Sequence, residues 1–298
     1  AQRVTELIRS GVSLKEIAVL YRAHYHSMEV QMEFVRRDIP FDMRSGIRFF
    51  EQAHIKDVTS YMRILVNPQD ELAWRRLLLM YPRVGKATFN KIWNYLKKEE
   101  NPMTAVLSDG FITAMSKSVQ PGLVECRKII AMLQELPEAE RVPEKVIGLL
   151  LNQGGYRIYL QDNYSDASSR EEDLIQLGNF AAQFLQMEDF LNELALLSNM
   201  AKEENTGEEG DEDKITLSTI HQAKGLEWSY VFLIWCADGM IPLQRALKEQ
   251  GGEEEERRLF YVAVTRAKDQ LYLCYPALDY SRSSGIFNLT PSRFIREI

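Results

Sequence analysis

The residues that favour β-strands lie only towards the two ends of this chain, and this distribution limits the folds that it can adopt. Ile17–Tyr21 is a short, fully apolar run, which is typical of a strand buried on both faces of a parallel sheet. Helical patterns flank it at residues 1–10 and 27–37, and another short strand is predicted near 41–43. This alternation of helices and strands predicts an α/β layer.

The middle of the chain has a different pattern. Between about 104 and 200 the apolar residues recur at helical spacings, without strand-like runs. Strand-rich runs resume in the last third of the chain, at 214–219, 230–236 and 270–275. A helix over 253–268 is predicted between the last two of these runs.

This pattern predicts an α/β fold in which a parallel-sheet domain is interrupted by an all-helical insertion. The sheet domain comprises residues 1–105 and 213–298, and the insertion comprises residues 106–212. Insertion of one domain into another is tolerated at exposed loops, where few contacts are lost.

Length and composition exclude several other classes of protein. The 298 residues are 45% hydrophobic and 27% charged, which excludes a disordered chain and a disulfide scaffold. No apolar run reaches the roughly 18 residues that a membrane span needs, and the first ten residues lack the pattern of a signal peptide. The three cysteines are far apart, without metal-ligand spacing, and predict reduced thiols in a cytoplasmic protein.

The net charge of −7 would ordinarily disfavour a nucleic-acid partner, but the charge is unevenly distributed. Residues 203–213 contain seven acidic residues and no Lys or Arg, and we interpret them as a solvated linker. Residues 61–98 contain eight basic residues against two acidic ones, together with several aromatic residues. Either this stretch contacts a DNA backbone, or it is a solvated helical face with core aromatics.

One segment of the last third has the features of a ligand-binding loop. Residues 215–228 read ITLSTIHQAKGLEW, a strand that leads into a tight polar loop. Loops that leave the carboxyl ends of parallel strands form the ligand sites of α/β sheets. Gly225 in this loop permits a positive φ or a close backbone approach to a ligand.

A second segment places an arginine next to an apolar helical face. Residues 253–267 read EEEERRLFYVAVTRA, and the predicted helix puts Arg266 on the same face as Leu259, Val262 and Ala263. A guanidinium held there is a permanent charge suited to a phosphoryl group. The alternative for Arg266 is an interhelix salt bridge. The run of glutamates at 253–256 is interpreted as a favourable acidic first turn without a chemical role.

These segments resemble motifs V and VI of the UvrD/Rep/PcrA family of superfamily 1 DNA helicases. TIHQAKGLEW is similar to motif V, and EEERRLFYVAVTRA to motif VI. In addition, IAVLYR at 17–22 resembles motif IV, and the residues at 39–57 and PSRFI at 291–295 are similar to further family segments. The resemblance implies that the sheet domain is the second of two RecA-like (P-loop NTPase-type) motor domains, and that the helical part is its inserted subdomain.

The resemblance also implies roles for individual residues. Nucleotide contacts would come from Tyr21 stacking on adenine, Arg22 and Arg266 reaching the γ-phosphate, Glu227 binding the ribose, and the loop glycine Gly225. DNA contacts would come from Ser218, Thr219, Ile220 and His221. The structural alternatives are a core aromatic for Tyr21 and a satisfied polar loop residue for His221.

The chain lacks the sequence signature of a complete ATP site. A P-loop requires GxxxxGK[ST], but the nearest match, Gly85-Lys86, has Met80 at the first glycine and Ala87 after the lysine. We therefore expect ATP and Mg²⁺ to bind together with an N-terminal RecA-like domain that is absent here and supplies the Mg²⁺ ligands. This chain alone is then expected to be inactive.

The resulting hypothesis is the C-terminal half of an ATP-dependent 3′–5′ DNA helicase. It would act on single-stranded and duplex DNA in the bacterial cytoplasm, at the nucleoid, in processes such as DNA repair, with no membrane partner. One alternative is a non-catalytic module that binds DNA or recruits a partner. Another is the helicase part of a recombination helicase–nuclease, which shares motifs V and VI.

Overall fold

The computed structural model describes residues 1–44, 49–203, 213–244, 246–281 and 285–298. The strands are Ile17–Tyr21 (β1), Phe41–Met43 (β2), Ile215–Thr219 (β3), Trp228–Leu233 (β4), Ala267–Leu273 (β5), Leu278–Ser281 (β6) and Gly285–Asn288 (β7). The helices are Gln2–Arg9 (α1), Met28–Arg36 (α2), Ala53–Val66 (α3), Glu71–Leu79 (α4), Lys86–Leu96 (α5), Pro102–Leu107 (α6), Asp109–Thr113 (α7), Gln120–Glu135 (α8), Pro143–Asn152 (α9), Tyr156–Asn163 (α10), Ala167–Ala181 (α11), Met187–Glu203 (α12) and Gly252–Val264 (α13).

Within the described residues, no helix is both long enough and apolar enough to cross a bilayer. The predicted acidic linker at 203–213 lies almost entirely outside these residues.

Five strands form one parallel sheet in the order β2-β3-β1-β4-β5, and β6 and β7 form a separate antiparallel hairpin. β1 is the central strand. Tyr21 of β1 is in register with Thr219 of β3, and Ile17 of β1 is in register with Tyr230 of β4. The central strand near the amino terminus therefore pairs on both edges with strands from the last third of the chain.

β1 is buried on both faces, which explains its uninterrupted apolar sequence. Ile17, Val19 and Tyr21 pack into a core cluster with residues of α1 and α2, whereas Ala18 and Leu20 pack into a second cluster with residues of α13. Helices therefore cover both faces of the sheet. The predicted α/β fold with a parallel sheet is confirmed.

The helix that contains most of the second segment is shorter than the sequence predicts. α13 ends at Val264, so Arg266 lies beyond the helix and does not extend its apolar face. The Thr265 hydroxyl donates to the Tyr261 and Val262 carbonyls in the last turn. The Arg266 carbonyl accepts a hydrogen bond from the Trp228 N–H at 2.9 Å. Pairing with β4 therefore replaces the helical conformation at this point.

The chain divides into two compact units, and the division differs from the predicted one. One unit comprises residues 1–49 and 196–298, and the other comprises residues 50–195. Only helices and turns are found among the described residues of the second unit. The sequence assigns α3, α4 and α5 to the sheet domain, but α3 packs against α9 and α11, and α4 and α5 follow it into the helical unit.

Most aromatic residues of the basic stretch 61–98 belong to the core of the helical unit. Trp74, Phe89 and Trp93 are buried, and the rings of Phe89 and Trp93 are nearly parallel with centroids 6.4 Å apart. Rings enclosed in this way cannot stack on nucleic-acid bases. Of the two interpretations of this stretch, the structure supports core aromatics.

A buried carboxylate joins three helices of this unit. Asp57 of α3 accepts hydrogen bonds from Nε of Arg76 in α4 at 2.6 Å and from the hydroxyl of Tyr156 in α10 at 2.8 Å. Burial, together with the nearby charge of Asp57, raises the pKa of Tyr156 far above its ordinary value, so the hydroxyl remains a donor. Both carboxylate oxygens are therefore satisfied.

We expect Asp57→Ala to lower the free energy of unfolding by about 2–4 kcal/mol, because it leaves a guanidinium and a buried hydroxyl without their acceptor. The matched control is Asp109→Ala, whose fully exposed carboxylate lies 3.3 Å from Arg127. Exposed pairs of this kind contribute less than about 1 kcal/mol. Urea unfolding of both variants measures the difference, and equal losses would contradict this role for Asp57.

Candidate functional site

The carboxyl ends of β1 and β3 lie side by side and bring two of the predicted segments together. The N–H of Ile220 donates to the carbonyl of Tyr21 at 2.9 Å, which continues the pairing of the two strands beyond Thr219. Arg22 follows directly after β1, and the polar loop follows directly after β3. We call this region the carboxyl edge; in parallel α/β sheets it is the usual position for ligand binding.

Arg22 is held at the carboxyl edge by a carboxylate from α13. Its Nε lies 2.9 and 3.2 Å from the two oxygens of Glu256, and its Nη2 lies 2.7 Å from Oε1. The Arg22 side chain is 17% exposed and that of Glu256 is 2% exposed. The pair is therefore bidentate and largely shielded from water, the geometry that fixes a guanidinium most firmly.

Glu256 is the residue of this site that the sequence interpretation missed. The four glutamates at 253–256 look alike in sequence, but only Glu256 is buried; the others line the exposed side of the first turn. The signal was present in the helical spacing. Glu256 precedes Leu259, Phe260 and Ala263 by three, four and seven residues, and all four are buried on one face of α13.

Tyr21 does not have the position that its predicted role requires. Its side chain is 0% exposed and belongs to the core cluster on the α1 and α2 face of the sheet. The hydroxyl lies 4.0 Å from the sulfur of Met43. Because the ring has no open face, the structure does not support stacking on adenine and agrees with the alternative of a core aromatic.

The residues predicted to contact DNA differ in their accessibility. Ser218, Thr219 and Ile220 are buried, whereas His221 is exposed at the start of the loop. The Thr219 carbonyl accepts hydrogen bonds from the N–H groups of Gln222 and Ala223, which makes the turn tight. Only His221 of these four residues therefore offers its side chain to a ligand at the surface.

His221 shares its electrostatic environment with Arg22. Partial desolvation of the ring, followed by the positive charge of Arg22, lowers the pKa of His221 below its usual value of 6.5. The carboxylates of Glu256 and Glu255 act in the opposite direction but do not overcome these effects. The imidazole at the carboxyl edge is therefore neutral at physiological pH.

Glu227 and Arg266 lie at the other end of the strands. Glu227 directly precedes β4 and Arg266 directly precedes β5, so neither residue is at the carboxyl edge with Arg22. Glu227 is exposed, and its Oε1 lies 3.4 Å from Nζ of Lys268. Gly225, two residues before Glu227, has a φ of +86°, the left-handed conformation that favours glycine. The predicted nucleotide residues therefore form two groups.

The Arg266 guanidinium is held only by neutral acceptors. Its Nε donates to the Val262 carbonyl, its Nη1 to the Leu226 carbonyl and its Nη2 to the Thr265 hydroxyl, each at 2.9 Å. In the described part of the chain, no carboxylate lies within ion-pair distance of Arg266, so the alternative of an interhelix salt bridge is not realised. Its charge is uncompensated, in contrast to that of Arg22.

The side chains that could bind a metal ion are dispersed in this structure. Among residues 1–44, 49–203, 213–244, 246–281 and 285–298, no three His, Cys, Asp or Glu side chains are grouped closely enough to hold a metal ion.

Comparison with known sequences identifies the family. A sequence model of the UvrD-like helicase C-terminal domain matches residues 1–277. The chain belongs to this family. The match includes both ends of the parallel sheet and the helical unit between them, so the resemblance stated from the motif segments is confirmed.

Individual members of the family are similar over nearly the whole chain. The ATP-dependent DNA helicase PcrA of Staphylococcus aureus strain MRSA252 is 30% identical over 301 aligned residues, which cover 97% of this chain and 40% of the relative. The PcrA helicase of Staphylococcus epidermidis strain ATCC 35984 is 31% identical with the same coverage. The chain thus spans about 40% of the length of these UvrD-like relatives.

His26 lies close to the site, between the motif IV segment at 17–22 and the family segment at 39–57. It is buried, and its ring stacks on Trp235 with centroids 5.5 Å apart. Nδ1 accepts the N–H of Ala23 at 3.4 Å, while Nε2 has no hydrogen-bond partner among the described residues. Burial, and then the charge of Arg22, lowers the pKa of His26 to about 3.

This low pKa predicts acid sensitivity in this UvrD-like domain. Between about pH 3 and pH 6.5 the unfolded chain binds a proton at His26 that the folded chain does not, so folding stability falls as the pH falls. We expect a loss of about 2 kcal/mol between pH 6.5 and pH 5 from this residue alone. Urea unfolding across this range, in the natural chain and in His26→Gln, measures the contribution. Equal pH slopes for the two proteins would contradict it.

Proposed function

We propose that this chain is the second motor domain, with its helical insertion, of an ATP-dependent DNA helicase that moves 3′ to 5′ along DNA. Its membership of the UvrD-like family and its similarity to PcrA helicases support this proposal. The structural observation that supports it most directly is the uncompensated guanidinium of Arg266. The proposed place of action is the bacterial cytoplasm, where chromosomal DNA is the substrate.

Arg266 is the proposed arginine finger of the motor. The acceptors that hold it are carbonyl and hydroxyl groups, which are weaker partners for a guanidinium than a phosphoryl oxygen with negative charge. Arg266 can therefore exchange them for a γ-phosphate without leaving a carboxylate unpaired. Glu227, with an exposed carboxylate near the same end of the strands, is the proposed ribose ligand, and Gly225 allows the loop backbone to approach the nucleotide.

Arg22 is the second proposed γ-phosphate ligand, and its position sets a geometric requirement. It lies at the carboxyl edge, whereas Arg266 lies at the opposite end of the strands. Contact of both residues with one phosphate group therefore requires a rearrangement that brings the two ends of the strands to the same nucleotide. Tyr21 is not part of this proposal, because its ring is enclosed in the core.

The proposed DNA contacts are narrower than the sequence motif suggests. The His221 side chain is exposed, so it is the proposed side-chain contact to the DNA backbone. Ser218, Thr219 and Ile220 are buried, and we assign them the role of shaping the loop that presents His221. ATP hydrolysis also requires a P-loop and Mg²⁺ ligands, which we place on an N-terminal RecA-like domain of the same protein.

We expect Arg266→Ala, in the complete protein, to reduce DNA-stimulated ATP hydrolysis by about 10³-fold or more, because arginine fingers contribute about 10³–10⁵ in related phosphoryl-transfer systems. The matched control is Arg258→Ala. The Arg258 side chain is 77% exposed on α13, the helix that precedes Arg266, and pairs with Glu255. Steady-state ATP turnover with single-stranded DNA measures both, and full activity of Arg266→Ala would refute the assignment.

We expect the 298-residue chain alone to show negligible ATP turnover and weak DNA binding, because it provides only one wall of each site. The measurement is phosphate release by the purified chain, with and without single-stranded DNA, next to the complete protein at equal concentration. Turnover by the chain within about tenfold of the complete protein would show that a P-loop domain is not required.

A further inference from the structure

Glu256 has more hydrogen-bonding partners than a charge pair with Arg22 requires. Both oxygens of Glu256 contact the guanidinium of Arg22, and Oε2 also accepts the backbone N–H of Leu243 at 3.1 Å. Leu243 is itself buried, 1% exposed, in the segment that follows β4. One buried carboxylate therefore connects the residue after β1, the segment after β4 and the first part of α13.

A buried carboxylate in this position is stable in its charged form only while its hydrogen-bond partners stay in place. Removing an ion from water costs several kcal/mol, and the cost is recovered only with good geometry and additional hydrogen bonds. Glu256 has both, because it makes a bidentate contact with Arg22 and a bond to a backbone N–H. The three segments are thus held together as one unit and move together if any one of them moves.

α13 links this unit to Arg266. Glu256 lies in the first part of the helix, and Arg266 lies two residues after its last residue, Val264. Arg266 is bonded to the last turn through the Val262 carbonyl at 2.9 Å. A helix of 13 residues is rigid over its length of about 20 Å, so a displacement of Glu256 is passed to Arg266.

The other end of this connection is the exposed loop after β3. His221 is close enough to Arg22, Glu255 and Glu256 for their charges to affect its titration. The loop is also fixed to β1 by the hydrogen bond from Ile220 to Tyr21. A ligand that binds His221 therefore contacts the carboxyl edge, to which Glu256 is connected through Arg22.

We propose that Glu256 is a positioning residue that couples the carboxyl edge, with Arg22 and His221, to Arg266 through α13. In this role DNA at His221 shifts the Arg22–Glu256 unit, and α13 brings Arg266 towards the nucleotide. Glu256 touches neither DNA nor ATP. The inference rests on the proposed function, because it assigns His221 to DNA and Arg266 to the phosphate.

The test compares three substitutions in the complete protein. Glu256→Gln removes the charge and places an NH₂ group against the guanidinium of Arg22. Glu256→Asp keeps the carboxylate but shortens the side chain by one methylene. Glu254→Gln is the matched control, since this neighbouring carboxylate is exposed and pairs with Arg257, three residues further along α13.

The decisive measurement is the ratio of ATP turnover with saturating single-stranded DNA to turnover without DNA. We expect Glu256→Gln to lower this ratio about tenfold, equivalent to about 1.4 kcal/mol of coupling. Glu256→Asp should restore part of it, and Glu254→Gln should match the natural protein. A purely structural role would reduce both rates in proportion and leave the ratio unchanged, and that outcome would overturn the proposal.

Two further outcomes separate this inference from the proposed function. If the natural protein shows no DNA-stimulated ATP turnover, the proposed function fails and the coupling role fails with it. If the natural protein is stimulated and Glu256→Gln is stimulated equally, only the coupling role is overturned. If Glu256→Gln does not fold, Glu256→Asp decides, because its carboxylate can still pair with Arg22. The shorter side chain cannot keep both the contact with Arg22 and the bond to the Leu243 N–H, so the ratio should fall below that of the natural protein, and an unchanged ratio would count against the proposal.

Discussion

The backbone pairing of β1 is the interaction on which the rest of the sheet unit depends. This strand is central, buried on both faces, and bonded along both edges to strands that are distant in sequence. Its N–H and C=O groups have no access to water and must therefore be paired within the sheet. Arg22, His221 and Glu227 lie close to the ends of β1, β3 and β4, so their positions follow from this pairing, and Arg266 precedes β5, which pairs with β4.

The two arginines of the candidate site illustrate how environment distinguishes side chains of the same chemistry. Arg22 is paired with a buried carboxylate, and its charge is largely cancelled, whereas Arg266 is held by three neutral oxygens. A paired guanidinium is a stable structural connection, and an unpaired one is available to an incoming anion. α13 contributes to both environments, since it provides Glu256 near its start and the Val262 carbonyl near its end.

Strands and helices could be predicted from the sequence where local patterns determine them. They were predicted less well where contacts between distant residues determine the bounds or the neighbours of an element. The apolar run Ile17–Tyr21 and the short strand Phe41–Met43 have the predicted bounds, because burial on a sheet dictates their composition. The end of α13 was misplaced, since pairing of Arg266 with Trp228 overrides a helical pattern that continues in the sequence. The sequence prediction placed α3, α4 and α5 in the sheet domain, because a helical face does not reveal which neighbours will cover it.

The site was predicted through its segments, but the accessibility of its residues was not. Tyr21, Ser218 and Thr219 are polar or aromatic residues in a motif, yet all are buried, because strand register and not residue type determines which side chains face outwards. Glu256 was overlooked because a run of like charges suggests a solvated turn. Its spacing from Leu259 and Ala263 marks the one glutamate that faces the core.

The order of the strands has a consequence for synthesis on the ribosome. β1 leaves the ribosome early, but its partners β3 and β4 follow only after the whole helical unit has been made. Contacts between such distant segments form slowly, and unpaired apolar strands favour aggregation while they wait. The helical unit is formed by the continuous stretch 50–195 and can be completed first. The apolar residues of β1 therefore stay without their strand partners until the last third of the chain has been made, so the speed of translation influences misassembly.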